Sequence, residues 1–272
     1  MNPEISSWLW NGTAFESCGA IPLTDRGFRY GMALFESIRV WKHSPLFFEA
    51  HIDRLRRACG QCGFQIDDAA LVSAENLLRE NGDGFARIYI TAGDGAVDGT
   101  ATQPRILVFI ETREPVSTEI CERGYALAIS PEPHRPLFGG LKTANYWAYA
   151  HAITTARAQG RDEALLFNEH GELISACMAN VFVVRAGKIT TPPLETGARN
   201  GVVRAWVCAE REVRQRPVTR ADLAGADEIF LTNSWLGVMP AASLEDRPLS
   251  SKLVASTLCH EYAAALQKQL SF

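Results

Sequence analysis

What the sequence lacks removes several classes of protein at once. No apolar run approaches the ~18 to 20 residues needed to cross a bilayer. The N-terminal MNPEISSWLWNG has no basic segment followed by an apolar one, so it does not read as a leader. Excess positive charge is missing too: 27 Lys+Arg stand against 31 Asp+Glu, a formal net charge of -4, which leaves no basic stripe for nucleic acid. Seven cysteines, an odd number scattered over 272 residues, do not make a disulfide framework and read as reduced thiols. Cys59 and Cys62 form a CxxC, but no second pair stands at zinc spacing, and both lie late in a helical run where small buried residues are the simpler reading. Internal repeats and low-complexity tracts are absent. The expectation is a cytoplasmic protein without a metal, whose partner is a small molecule or another copy of the chain.

What is present is an ordinary globular composition, 47% hydrophobic and 21% charged, long enough for two domains or one large one. Alternating or β-branched runs at SWLWNG, ALFESIRVW, ARIYITAG and RILVFIET predict strands, and residues 49–60 and 68–80 carry helical spacing. The polar, proline-containing ETREPVSTE, 111–119, marks a boundary. The organisation expected is an N-terminal α/β domain over 1–113, a linker at 114–120 and a C-terminal domain over 121–272. In the second part GYALAIS, EALLF, ELISA, NVFVV and DEIFLT read as strands, with a turn from Asn168 to Gly171. Thr143 is placed to cap a helix running to about Gly160; further helices are expected over about Gly201 to Arg214 and over 250–269. Strands and helices do not alternate regularly, which argues against a doubly wound sheet or an eight-stranded barrel. The glycine-rich TAGDGAVDGT, 91–100, lacks the Lys-Ser/Thr of a phosphate-binding loop and reads as a long surface loop that overhangs a site.

In GGLKTANYWAY, Lys142 stands between a glycine pair and the start of a helix, where a lysine alone is a solvated surface charge. Four other stretches change that reading: DRGFRYGMALFESIRV at 25–40, EAHIDRLRRA at 49–58, GELISACMANVFVV at 171–184 and EIFLTNSWLGVMPA at 228–241. With GLKTANY they stand in the order and approximate spacing of the class IV aminotransferase family, the fold-type IV pyridoxal phosphate enzymes, which the chain resembles over nearly its whole length. That family contains branched-chain and D-amino acid aminotransferases and aminodeoxychorismate lyase. The resemblance implies a two-domain α/β (α+β) fold, a smaller N-terminal α/β domain and a larger mixed C-terminal domain that binds pyridoxal 5'-phosphate, acting on a small amino substrate as a homodimer.

For single residues, the resemblance implies that Lys142 forms the Schiff base with the cofactor, a task that requires a neutral amine. Arg54 in HIDRL matches the phosphate arginine, and an exposed helix charge is its plain alternative. Val202 and Val203 in NGVVRAWV match a helix N-terminus whose N–H groups meet the phosphate, with the threonine of many relatives replaced at Val203. Ser234, beside Asn233 in LTNSW, matches a hydroxyl donor to the same phosphate; an ordinary turn is the alternative for both. Tyr146 resembles a tyrosine directed at the cofactor ring oxygen, or packs in the core. The substrate side would carry Phe35 as an apolar wall and Arg39 as a carboxylate partner, with Met32 in place of a frequent acidic residue.

The pattern breaks at Ser175, which occupies the place of the glutamate that pairs with the pyridine nitrogen. A hydroxyl shares a hydrogen bond but does not hold the ring protonated, so a weaker electron sink is expected. Glu172, three residues earlier, would point to the opposite face of a strand. Three outcomes are consistent with this. A lyase forming 4-aminobenzoate and pyruvate is preferred, since NSWLGVMP and SACMANVF resemble aminodeoxychorismate lyase and aromatisation supplies driving force. Against it, the loop at 91–100 lacks the arginine that such enzymes can carry there. An aminotransferase and a homologue with weakened catalysis are the alternatives.

Overall fold

Residues 5–99 and 103–270 are described by the computed structural model. The chain divides into two units: the first takes residues up to Pro115 together with Lys142–Asn145, and the second takes Val116–Leu141 and the chain from Tyr146 onward.

The first unit contains β1 (Ile5–Trp10), β2 (Phe15–Ser17), α1 (Arg26–Tyr30), β3 (Ala33–Trp41), β4 (Ser44–Pro45), α2 (Phe48–Gln61), α3 (Asp68–Glu80), β5 (Gly84–Thr91) and β6 (Arg105–Glu111). The strands form one antiparallel sheet in the order β2-β1-β6-β5-β3-β4. Period-two alternation sorts its faces. Leu34, Ile38, Ala86, Ile88, Ile90 and Val108 are buried on the face that receives α2 and α3, which bring Ile52, Leu55, Leu71 and Leu78. Each Leu, Ile or Val among them stabilises the unit by about 1.5–3 kcal/mol. The other face carries Phe35, Arg39, Phe85, Arg87, Tyr89 and Phe109. Where α2 ends, Cys59 is buried and its thiol is pushed up to about 12 by burial. Burial raises Cys62 as well, and both are free thiols.

The glycine-rich stretch owes its composition to Arg26. This buried guanidinium donates to the carbonyls of Ala92, Gly93, Ala96 and Gly99, so residues 92–99 wrap around it. Turning those carbonyls inward requires Gly93 at φ +68°, where a Cβ would also lie 2.1 Å from the Gln103 carbonyl oxygen. Asp25, fully buried, accepts from Thr91 and Arg105, and Arg105 pairs with Asp94. Residues 94–99 are exposed, as a surface loop should be; Thr100 lies outside the described residues.

The second unit contains α4 (Thr118–Arg123), β7 (Tyr125–Ile129), α5 (Trp147–Ala158), β8 (Glu163–Phe167), β9 (Leu173–Ala176), β10 (Asn180–Arg185), β11 (Lys188–Thr191), α6 (Val202–Glu210), β12 (Val213–Gln215), α7 (Arg220–Ala224), β13 (Glu228–Asn233), β14 (Gly237–Leu244), β15 (Arg247–Pro248) and α8 (Leu253–Gln269). Its sheet runs β12-β11-β10-β13-β14-β7-β8-β9, with β15 on β14, and it curls until β9 lies near β10. Inside the curl sit Leu127, Leu165, Val181, Val183, Leu231 and Met239. Outside, α5 covers β7 and β8, while α6 and α8 pack on β13.

Several expectations need correction. Thr143 does not cap a helix: it forms a bridge with Leu34, and α5 begins at Trp147 behind Tyr146, which makes no side-chain cap. The helix expected over 201–214 stops at Glu210, and Val213–Gln215 pairs in parallel with β11 instead. The end of the expected linker is helical, with Ser117 capping α4. Among the described residues no helix is long and apolar enough to cross a membrane, and no cluster of His, Cys, Asp and Glu suits a metal ion.

Candidate active site

In the first unit, main-chain pairing holds Lys142. The Phe35 N–H donates to the Lys142 carbonyl at 3.0 Å, and the Ala144 N–H to the Ala33 carbonyl at 2.9 Å. This seats 142–144 along β3, and the Lys142 Nζ lies 4.0 Å from the centroid of the Phe35 ring. Phe35 stacks on Tyr89 at 4.9 Å, and Tyr89 meets Phe109 edge-on at 5.6 Å. Phe35 is therefore both a packed residue and a neighbour of the lysine amine.

On the helix-covered face, Arg54 is held by Glu36. Its Nε donates to Glu36 Oε1 at 2.7 Å and its Nη2 to Oε2 at 2.5 Å. His51 Nδ1 lies 2.7 Å from the same Oε2. Burial alone would raise the Glu36 carboxyl, but the Arg54 guanidinium and the His51 bond outweigh it and hold the group well below the usual carboxylate range. Burial also holds His51 below its ordinary value, with Arg54 and Lys142 acting in the same direction against the pull of Glu36.

The opposite face of this unit has a cavity of about 510 Å³, lined by Trp8, Phe85, Arg87, Tyr89, Leu107 and Phe109 among others. Cross-strand register ranks the two arginines here. Phe35 stands opposite Tyr89, Ser37 opposite Arg87, and Arg39 opposite Phe85. At ~3.3 Å per residue, Arg87 lies about 7 Å along the sheet from Phe35 and Arg39 about 13 Å. Arg87 lines the cavity and Arg39 does not. Nothing in a single strand's sequence distinguishes Arg87; only the register brings it forward.

The second unit gathers the remaining expected residues. Ser175 in β9 is buried, pairs with Leu166 and shares its face, which α5 covers with Ile153 and Ala156. Between Leu166 and Phe167 the register shifts, so the parity argument applied to Glu172 does not hold. What removes Glu172 is the turn: its carboxylate accepts from Asn168 Nδ2 at 2.9 Å. Tyr146 stands at the head of α5, its ring 5.1 Å from Tyr149, and its hydroxyl accepts from Arg199 Nη1 at 3.4 Å.

α6 begins at Gly201, which has no side chain to cap the first N–H groups of the opening turn, where Val202 and Val203 lie with buried side chains. A Cβ at Gly201 would sit 2.0 Å from Asn180 Oδ1, so only glycine leaves that approach open. Asn180 pairs with Thr232 across β10 and β13, on one face. The Thr232 hydroxyl is buried and has no hydrogen-bond partner among the described residues. Asn233 serves the turn after β13: its Oδ1 accepts from the N–H groups of Trp235 and Leu236, and its Nδ2 donates to Met178. Ser234 is the half-buried second residue of that turn. An open helix start and an orphaned hydroxyl fit an oxyanion such as a phosphate.

Comparison with known proteins gives this geometry a setting. The model of the amino-transferase class IV family matches residues 33–244. The chain is 28% identical over 237 residues to aminodeoxychorismate lyase of Bacillus subtilis, covering 82% of this chain and 80% of that one. It is 27% identical over 252 residues to a putative branched-chain-amino-acid aminotransferase of Methanocaldococcus jannaschii, 88% of each. Among solved structures, the T.th. branched-chain amino acid aminotransferase with pyridoxamine 5'-phosphate superposes with TM-score 0.86 at 25% identity, covering 96% of this chain and 93% of that one. The 4-amino-4-deoxychorismate lyase of Pseudomonas aeruginosa does so with TM-score 0.85 at 26% identity, covering 98% of this chain and 100% of that one.

Proposed function

Because the chain belongs to the class IV aminotransferase family, we propose that it is a pyridoxal 5'-phosphate enzyme anchored through Lys142, with the activity of an aminodeoxychorismate lyase. The residues present fit the cofactor: the uncapped start of α6 and the orphaned Thr232 hydroxyl suit the phosphate, with Ser234 beside them in the chain. Arg54 matches the phosphate arginine of the family motif. Bound there, pyridoxal phosphate supplies an aldehyde that joins an amino substrate and a ring that draws electrons from the substrate's Cα.

The chain's own residues do the rest. Lys142, fixed through its main chain on β3, offers an amine that takes and returns a proton at the substrate's Cα. The aromatic run of Phe35, Tyr89 and Phe109, of which Tyr89 and Phe109 line the cavity, suits a cyclic substrate. Arg87, the cation in that cavity, suits a substrate carboxylate. Large exposed apolar side chains, Trp147 at 89% and Phe138 at 72%, support a homodimer.

The observation that carries lyase over aminotransferase is Ser175, a neutral hydroxyl where the family pattern has a carboxylate. A weak electron sink is tolerated best when loss of pyruvate makes the product ring aromatic. Borohydride reduction with pyridoxal phosphate, followed by mass spectrometry, should place the adduct on Lys142. Aminodeoxychorismate should then yield 4-aminobenzoate and pyruvate. Exchange of amino groups between amino and keto acids, with no pyruvate from aminodeoxychorismate, would establish the aminotransferase instead.

A further inference from the structure

Glu36 is out of place by composition. Alternation along β3 puts it on the helix-covered face between Leu34 and Ile38, and it is 1% exposed. A carboxylate on an aliphatic face is costly unless a cation pairs with it, and well-packed apolar residues often serve stability as well or better. Here the partners come from α2, whose spacing of three places His51 and Arg54 side by side toward Glu36. Two carboxylate oxygens accept three donors: Arg54 Nε and Nη2, and His51 Nδ1. A carboxylate only accepts, so His51 must carry its proton on Nδ1 while neutral. The result fixes the plane and direction of the Arg54 fork: the Nε–Nη2 edge faces Glu36, and the Nη1 side of the guanidinium is turned away from it.

We infer that Glu36, backed by His51, is a positioning residue that holds the Arg54 guanidinium ready for the cofactor's phosphate. This rests on the reading of Arg54 as a phosphate arginine. An arginine oriented before binding does not lose its rotamer freedom at binding, which is where the gain in affinity arises. Glu36→Gln breaks the arrangement at nearly constant size, because an amide nitrogen would face donors that need acceptors.

The test compares pyridoxal phosphate with pyridoxal, which lacks the phosphate, by absorbance titration of the cofactor-free protein. Glu36→Gln should weaken pyridoxal phosphate by about 3- to 10-fold, the entropy of one freed side chain, while pyridoxal affinity stays unchanged. Inorganic phosphate should compete with pyridoxal phosphate less well in the variant than in the wild type. Equal weakening of both aldehydes, the signature of a merely structural role, would overturn the inference. Arg54→Ala separates the two layers. If it shows no phosphate-selective loss, the phosphate reading of Arg54 falls and this inference with it. If Arg54→Ala does and Glu36→Gln does not, the inference alone falls. Should Glu36→Gln fail to fold, His51→Leu, which keeps the Glu36–Arg54 pair and removes the third donor, must show the same selectivity in smaller measure; no selectivity there overturns it equally.

Discussion

Glu36 in the first unit and Glu163 in the second are both buried carboxylates, 1% and 2% exposed, yet their protons are held in opposite ways. Glu36 faces a guanidinium and an imidazole, and its carboxyl is held below the usual range. Glu163 accepts N–H groups from Ala164 at 2.9 Å, Cys177 at 3.1 Å and Met178 at 3.2 Å, together with the Cys177 thiol, and burial pushes its carboxyl up. Amide dipoles and a thiol do not offset the desolvation that a cation offsets. Glu163 ties the turn after β9 and can do so with a proton on it, whereas Glu36 orients Arg54 only as an anion.

The largest effect expected from breaking this contrast is that of Glu36→Ala. It leaves Arg54 without its counter-charge and should cost about 3–5 kcal/mol in urea unfolding. The pH dependence has a defined sign. The folded-state value of Glu36 lies below its unfolded value of ~4.3, so its contribution is complete above about pH 5 and is lost as pH falls through the folded value. The stability gap between wild type and Glu36→Ala should therefore close in acid. A gap that widened in acid would contradict the pairing.

Ser175→Glu comes next, and it places a further buried carboxylate in the second unit without a cation. By the example of Glu163, it should destabilise the cofactor-free protein by about 1–3 kcal/mol. Pyridoxal phosphate should recover most of that loss in thermal melts, because a protonated ring nitrogen supplies the missing charge, and transamination should rise. Failure of the cofactor to restore stability would count against the placement of Ser175 at the ring.

The smallest effect is that of Glu163→Gln, within about 1 kcal/mol at neutral pH, since the amide keeps an acceptor for the Ala164 and Cys177 N–H groups. Its pH trend runs opposite to that of Glu36. A carboxyl raised in the folded state favours folding fully below its unfolded value and loses that advantage as pH rises through the folded value. The variant should gain on wild type as pH rises above about 4.

Much of the fold was legible because local pattern and final structure agree. ALFESIRVW reads as a strand with the bounds of β3, and the spacing at 49–60 and 68–80 matches α2 and α3 within a residue or two at each end. β14 escaped notice because Pro240 interrupts its run and its tail is small and polar, although its neighbours in the sheet tolerate both. Candidate residues could be named where a motif is continuous, as at Lys142 and Arg54. The site was not legible where partners are distant in the chain: Glu36 lies 15 residues from His51 and 18 from Arg54. Arg87 depends on register, and the relation of Glu172 to Ser175 depends on an irregularity that period-two counting does not foresee.

The loop at 92–99 closes around Arg26 through its own carbonyls, and this bears on proteolysis. Trypsin needs an arginine side chain in its specificity pocket and an extended backbone on both sides. Arg26 offers neither until the loop has let go of it and α1 has unwound. Cleavage after Arg26 thus requires an opening of the unit rather than a fluctuation of its surface, and its rate relative to cuts at exposed arginines reports how often that opening occurs.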